Sequence, residues 1–174
     1  GMGLPTPVAY IIVALALVPF MQQIGIPPLQ AHFFVFYFAV FSTLTPPVAV
    51  SVLAAAKLGE ATFLSTAKDA MKIALTTFII PFAFVFSPEL MLFPNITWET
   101  MLAVVEVVFV QLAVSVASYG FLIRSLNGFE RGVYAFVALS GFLGFTYDAN
   151  FWYVAVALFM TISGYVFVSN KTQE

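Results

Sequence analysis

The chain has 174 residues, of which 62% are hydrophobic and 8% charged, and its formal net charge is −2. A soluble domain is about 45–50% apolar and about 25% charged, so a water-soluble fold would have almost nothing to place on its surface, and the composition identifies an integral membrane protein. Six scattered Lys and Arg residues make no basic patch for nucleic acid, while the absence of cysteine and a single histidine exclude disulfides, thiolate sites and histidine metal clusters.

In chain order, "GMGLPTPVAY" comes first. The residue before a proline is pushed out of the helical region, so Leu4 and Thr6 should be extended. Pro7 then suits the first helical position, with Thr6 as its N-cap. Val8 to Met21 is a run of 14 apolar residues. At about 1.5 Å per residue it spans roughly 21 Å, short of a hydrocarbon core about 30 Å thick. The arm over residues 5–24 therefore reads as half of a re-entrant hairpin, with a full span as the other reading. Gln22, Gln23 and "GIPP" close it. No targeting peptide is visible. Without an initiator methionine and with apolar sequence following at once, the chain reads as the C-terminal part of a longer polypeptide.

Ala31 to Ala56 is a 26-residue uncharged run, the body of a helix over 29–56 broken by "LTPP". Two adjacent prolines remove the donors that would serve the carbonyls of Ser42 and Thr43. In lipid, freed carbonyls must find partners in protein, water or an ion. Residues 57–72, "KLGEATFLSTAKDAMK", resemble an amphipathic helix at the interface. A span follows over 73–93, with Pro81 within it. "PNIT" is a turn, and its glycosylation-type motif is weak. Further spans are expected over 98–123, 133–147 and 151–168, with "RSLNGFERG" as a polar loop between the first two. The fold class is an all-α polytopic membrane protein.

The charges test this segmentation. If each run from residue 31 onward crosses once, Lys57, Lys68, Lys72, Arg124, Arg131 and Lys171 share one side. The positive-inside rule makes that side, and the C-terminus, cytoplasmic. Trp98, Tyr147 and Trp152 flank the opposite loops, where an aromatic belt belongs.

Several residues stand out as candidates for chemistry. A helix start near Pro7 exposes amide donors and a partial positive charge, and glycines allow close approach of a ligand. Gly1, Gly3 and Thr6 are then either an ordinary surface cap or an ion-binding tip at mid-membrane. Ser42, Thr43 and Thr45, beside Pro46 and Pro47, supply hard oxygens suited to Na⁺, or else form a plain proline kink. The pair of breaks says more than either alone, because interrupted hydrophobic segments mark the binding sites of secondary transporters. Glu106 lies inside a span and is a functional candidate by default, although its nearness to one end favours a structural role. His32, near the outer end of its segment, reads as an interfacial structural residue rather than a proton relay. "HFFVFYFAVF" reads as lipid-facing and packing surface. A membrane enzyme would need a nucleophile–base pair or a metal cluster, which this chain does not offer. A structural or assembly subunit, or a passive channel without a Na⁺ site, remains the alternative.

"GMGLPTPVAY", then "GIPPLQAHFFVFYFAVFSTLTPPVAVSVLAAAKL", then "AMKIALTTFIIPFAFVFSPELM" together resemble the large membrane subunit of TRAP transporters, most closely the fused permeases. The resemblance covers residues 1 to about 93 and weakens over 94–174, which look like additional C-terminal helices. It implies a Na⁺-driven elevator-type importer in a bacterial or archaeal cytoplasmic membrane, with no other cofactor, fed with an anionic solute by a periplasmic substrate-binding protein. It further implies two inverted repeats. This chain would supply the hairpin return arm and broken helix of the second repeat, followed by about four transmembrane helices, and would work with the remainder of the permease polypeptide. Gly1, Gly3 and Thr6 would face Thr45, Pro46 and Pro47 across a Na⁺, held by Gly3, Thr6 and Thr45, and the substrate.

Overall fold

The computed structural model describes residues 4–91 and 95–171. These are helical almost throughout. Among them there is no β-strand, only an isolated antiparallel bridge between Phe121 and Ser125. The chain divides into two compact units, Gly1–Met91 and Leu92–Glu174.

The first unit opens with α1 (Thr6–Gln23). Pro5, not Thr6, is the N-cap, and Thr6 is already helical. The amide of Ala9 bonds the Pro5 carbonyl at 3.0 Å, which draws Thr6 into the first turn. Pro7 tolerates this because an amide that early needs no intrahelical partner. At the other end, Ile26 N donates to Met21 O and Gly25 N to Gln22 O, both at 3.0 Å. This Schellman closure needs the left-handed φ of 93° that Gly25 supplies. Pro27 and Pro28 then start α2 (Pro28–Phe41) as its N-cap and first residue. The two helices fold back on each other, burying Val18 and Met21 against Ala31 and Val35.

Helix α2 ends by tightening. Successive amides of Ser42, Thr43 and Leu44 reach only three residues back, to Ala39, Val40 and Phe41. No α-helix resumes until α3 (Val50–Leu58). Pro46–Pro47 is a cis peptide, and the buried Ala49 takes a left-handed φ of 35° as the α3 N-cap.

The interfacial helix expected over 57–72 does not form as one piece. Lys57 lies in the last turn of α3, and Lys68 and Lys72 belong to α4 (Phe63–Thr77). Local chemistry makes the cut. Ala61 N bonds Ala56 O at 2.9 Å around Glu60, whose φ is 50°, and the Thr62 hydroxyl caps α4 by accepting from Ser65 N at 3.3 Å. Pro81 sets the next boundary. Lacking an amide and crowding the carbonyl four residues back, it separates α4 from α5 (Ile79–Phe86) at Phe78. The aromatic run of α2 packs on this element, with Phe41 on Phe78 at 4.8 Å and Phe34 edge-on to Phe82 at 5.3 Å. A 3₁₀ turn (Pro88–Met91) follows.

The second unit is three helices, α6 (Trp98–Tyr119), α7 (Gly128–Thr146) and α8 (Ala149–Lys171). Capping boxes start two of them, Thr97 with Thr100 on α6 and Asn127 with Glu130 on α7. Gly120, at φ 67°, ends α6. Arg131 then donates to the carbonyls of Ala117 and Ser118 at 3.0 and 3.2 Å, satisfying part of that helix end. Helix α7 is the middle one, and small residues let its neighbours close on it, as in membrane bundles generally. Val110 of α6 occupies the space where a side chain on Gly141 would begin, and Trp152 of α8 lies against Gly144. Tyr134 is fully buried, its hydroxyl 2.8 Å from Ser163 Oγ on α8.

Among the described residues, Thr6–Gln23, Phe63–Phe86, Trp98–Tyr119 and Asn150–Asn170 are long and apolar enough to cross a membrane. This is an all-α, multi-pass membrane protein.

Candidate functional site

The break between α2 and α3 presents three hydroxyls, and each is tied back to the helix it leaves. Ser42 Oγ donates to Ala39 O at 2.7 Å, Thr43 Oγ1 to Val40 O at 3.1 Å and Thr45 Oγ1 to Phe41 O at 2.9 Å. A hydroxyl has one proton and two lone pairs. With the proton spent on a carbonyl, the oxygen meets anything else as an acceptor. Each side chain is thus fixed in orientation and left as a ligand for a cation or an N–H group.

Two of the three share a cavity. Ser42 and Thr45 line a space of about 370 Å³ together with Ala9 and Val13 of α1, and with Phe38, Phe41 and Phe78. Ser42 is buried, whereas Thr43 and Thr45 are half-buried. Pro46 is half-buried and Pro47 exposed. One of the two carbonyls released by the prolines is met within the chain, since Ser51 N donates to Thr43 O at 3.1 Å.

Thr6 lies elsewhere. It lines a separate cavity of about 420 Å³ with Pro7, Tyr10, Leu29, His32, Phe33 and Phe36. The part of α1 that reaches the Ser42–Thr45 cavity is one turn further along, at Ala9 and Val13. Gly1 and Gly3 lie outside the described residues. Glu106 is half-buried on α6 and belongs to the other compact unit.

Sequence reasoning treats His32 as a structural residue at the interface. The fold gives it a more specific setting, because its Nδ1 is 2.7 Å from the hydroxyl of Tyr10 on α1. The two residues are 22 positions apart, and no periodicity within either helix announces the pairing. Among the described residues, no Asp, Glu, Lys or Arg lines either cavity. The Arg124 guanidinium makes a bidentate pair with the buried Glu130 carboxylate, at 2.6 Å and 3.0 Å, which also accepts Asn127 N at 2.9 Å. Arg124 beside it, together with the Asn127 amide, holds the Glu130 carboxyl below the usual carboxylate range. Among the described residues, no group of three or more His, Asp or Glu side chains is placed to hold a metal ion.

A family model described as "Tripartite ATP-independent periplasmic transporter, DctM component" matches residues 1–99. No curated protein and no solved structure matches the chain.

Proposed function

This chain belongs to the DctM family of tripartite ATP-independent periplasmic transporters, a family of transporters rather than enzymes, and from that premise we propose that it forms part of a Na⁺-coupled importer of an organic acid or similar anionic solute. One observation carries the ion-coupling reading. Ser42 and Thr45 stand at a helix break, line one cavity, and have each given their proton to a backbone carbonyl. Two oriented oxygens with free lone pairs, on a segment whose backbone has left the helix, suit a hard cation that takes oxygen ligands. Discontinuous helices carry such sites in many secondary transporters.

In this reading Ser42 and Thr45 hold Na⁺, and Thr43, Pro46 and Pro47 shape the break. Thr6 leads α1 towards the solute. Family membership supports a periplasmic binding protein as the donor of the solute and a cytoplasmic-membrane location, and the distribution of cationic residues supports a cytoplasmic C-terminus. Residues 5–56 act as the return arm and broken helix of one repeat, moving with the bound solute in an elevator-type cycle together with the rest of the permease.

Thermal melts in NaCl and in equimolar choline chloride test the ion site. A ligand that binds the folded state must raise its stability, by about 2.7 kcal/mol at a hundred times its dissociation constant. The expected result is a Na⁺-specific rise that Thr45→Ala and Ser42→Ala each reduce sharply. Equal melting in both salts would leave a structural subunit or passive channel as the better reading.

A further inference from the structure

The cavity on which Thr6 lies is chemically unlike the one at the helix break. Its walls are apolar and aromatic, with Leu29, Phe33 and Phe36 on α2 and the Tyr10 ring meeting Phe36 edge-on at 6.0 Å. Among the described residues its polar groups are Thr6, Tyr10 and His32, and no Asp or Glu lines it. At about 420 Å³ it falls within the range of roughly 300–1,000 Å³ that holds small ligands.

Hydrogen-bond accounting fixes what the polar corner can accept. Tyrosine carries one O–H, and a neutral imidazole carries one N–H. The contact between Tyr10 Oη and His32 Nδ1 at 2.7 Å uses one of these two protons. If Tyr10 donates, the ring proton sits on Nε2 and remains available. If Nδ1 donates, the phenol proton remains available. Either tautomer leaves one donor unspent, and the Thr6 hydroxyl adds another. The first-turn amides of α1 add partial positive charge at the same end. A cationic head would find no carboxylate here. A second charged group on the ligand would be pressed against Leu29 and the phenylalanines, where an unpaired charge is costly.

We propose that the α1–α2 cavity binds a monocarboxylate with an aryl or branched-alkyl body, its carboxylate held by the Tyr10–His32 pair and Thr6 and its body seated on Phe33 and Phe36. This rests on the transport reading and deepens it by naming the kind of anion. It assigns His32 as a ligand-binding residue and Tyr10 as the residue that positions the imidazole.

Calorimetric titration of the purified chain with phenylacetate, succinate and benzylamine tests the proposal. Phenylacetate should bind at least tenfold more tightly than succinate, and benzylamine should give no heat of binding. His32→Ala should weaken phenylacetate about tenfold or more. Tyr10→Phe, which keeps the ring and its packing, should cause a smaller but measurable loss. The proposal is overturned if phenylacetate does not bind, if succinate or benzylamine binds as well, or if both variants bind like the wild type. Melts in NaCl and choline chloride run on the same samples separate the two readings. A Na⁺ response without phenylacetate binding removes the pocket assignment alone. Phenylacetate binding without a Na⁺ response removes ion coupling and leaves the pocket standing.

Discussion

The two compact units solve the membrane problem in opposite ways. In Gly1–Met91 the helices are interrupted. Prolines lie at the starts of α1 and α2, between α2 and α3, and early in α5, and hydroxyls turn back to carbonyls at the ends they leave. In Leu92–Glu174 the helices run 22, 19 and 23 residues. Two begin with reciprocal caps, and a buried ion pair ties the α6–α7 loop to α7. Both families of side chains are polar, but they do different things. In the second unit an ion pair, the Tyr134–Ser163 hydrogen bond, reciprocal caps and the Arg131 bonds to the end of α6 close the structure. In the first, polar groups satisfy the backbone and keep oxygens, or a proton on the Tyr10–His32 pair, for something else. On the reading proposed above, the first unit holds the ligand and the second acts as a scaffold.

Perturbation should separate the two. Both tryptophans, Trp98 and Trp152, lie in the second unit, so tryptophan fluorescence reads that unit selectively during unfolding. The largest loss should follow Arg124→Ala, which strands the buried Glu130 carboxylate. Breaking a buried pair by removing one partner is strongly destabilising, and the fluorescence transition should shift further than for any other variant described here. The same pair sets a pH dependence. The Glu130 carboxyl is held below its ordinary value by Arg124 and the Asn127 amide. Its stabilisation is therefore complete above the unfolded pKa of about 4.3 and is lost as pH falls through the lower folded value. The transition should hold steady from neutrality down to about pH 5 and decline below about pH 4. Glu130→Gln should flatten that decline, and a decline of equal depth in the variant would assign the effect to another carboxylate.

Gly141→Ala comes next. A Cβ there would stand 2.7 Å from Val110 Cγ2, and overpacking of this sort costs about 1–3 kcal/mol. The paired change Gly141→Ala with Val110→Ala should recover part of the loss, which a double-mutant cycle measures. Thr97→Ala, which removes the hydroxyl accepting Thr100 N at 3.2 Å, should cost about 1 kcal/mol. Smallest in Na⁺-free stability is Thr45→Ala, because losing one hydroxyl-to-carbonyl bond on a half-buried side chain is worth roughly 0.5–1.5 kcal/mol at most. Its effect on the Na⁺-dependent shift should nonetheless be the largest of the set. If an α6 or α7 variant abolished that shift as completely as Thr45→Ala, the division between ligand-holding unit and scaffold would collapse.

Particular residues show where sequence reading reached and where it stopped. The break at Pro46–Pro47 was legible because two missing amides cannot be repaired locally in a helix. The interfacial helix was misread because charge was followed instead of capping. "LGEAT" already contains a helix end at Gly59 and an N-cap at Thr62, and those local bonds outweigh the amphipathic pattern that runs across them. Thr6 was read one position out, since a pre-proline residue can still enter a first helical turn when the residue before it carries the cap. The loop "RSLNGFERG" was legible as polar, but its bidentate Arg124–Glu130 pair was not.

Composition and the placement of Gly and Pro determined, without any tertiary information, that this is a multi-pass helical membrane protein of interrupted and continuous helices. Both are local or additive properties. Apolar length sets what a lipid core accepts, and a proline acts on its own turn. The tertiary structure alone decided which polar groups meet. Tyr10 reaches His32 only because α1 folds back on α2, and Ser42 and Thr45 share their cavity with Ala9 and Val13, not with Thr6, because the register of that packing is set by Val18, Met21, Ala31 and Val35. Helices that are apolar all round carry no stripe to announce such a register, so it is fixed by shape when the side chains pack.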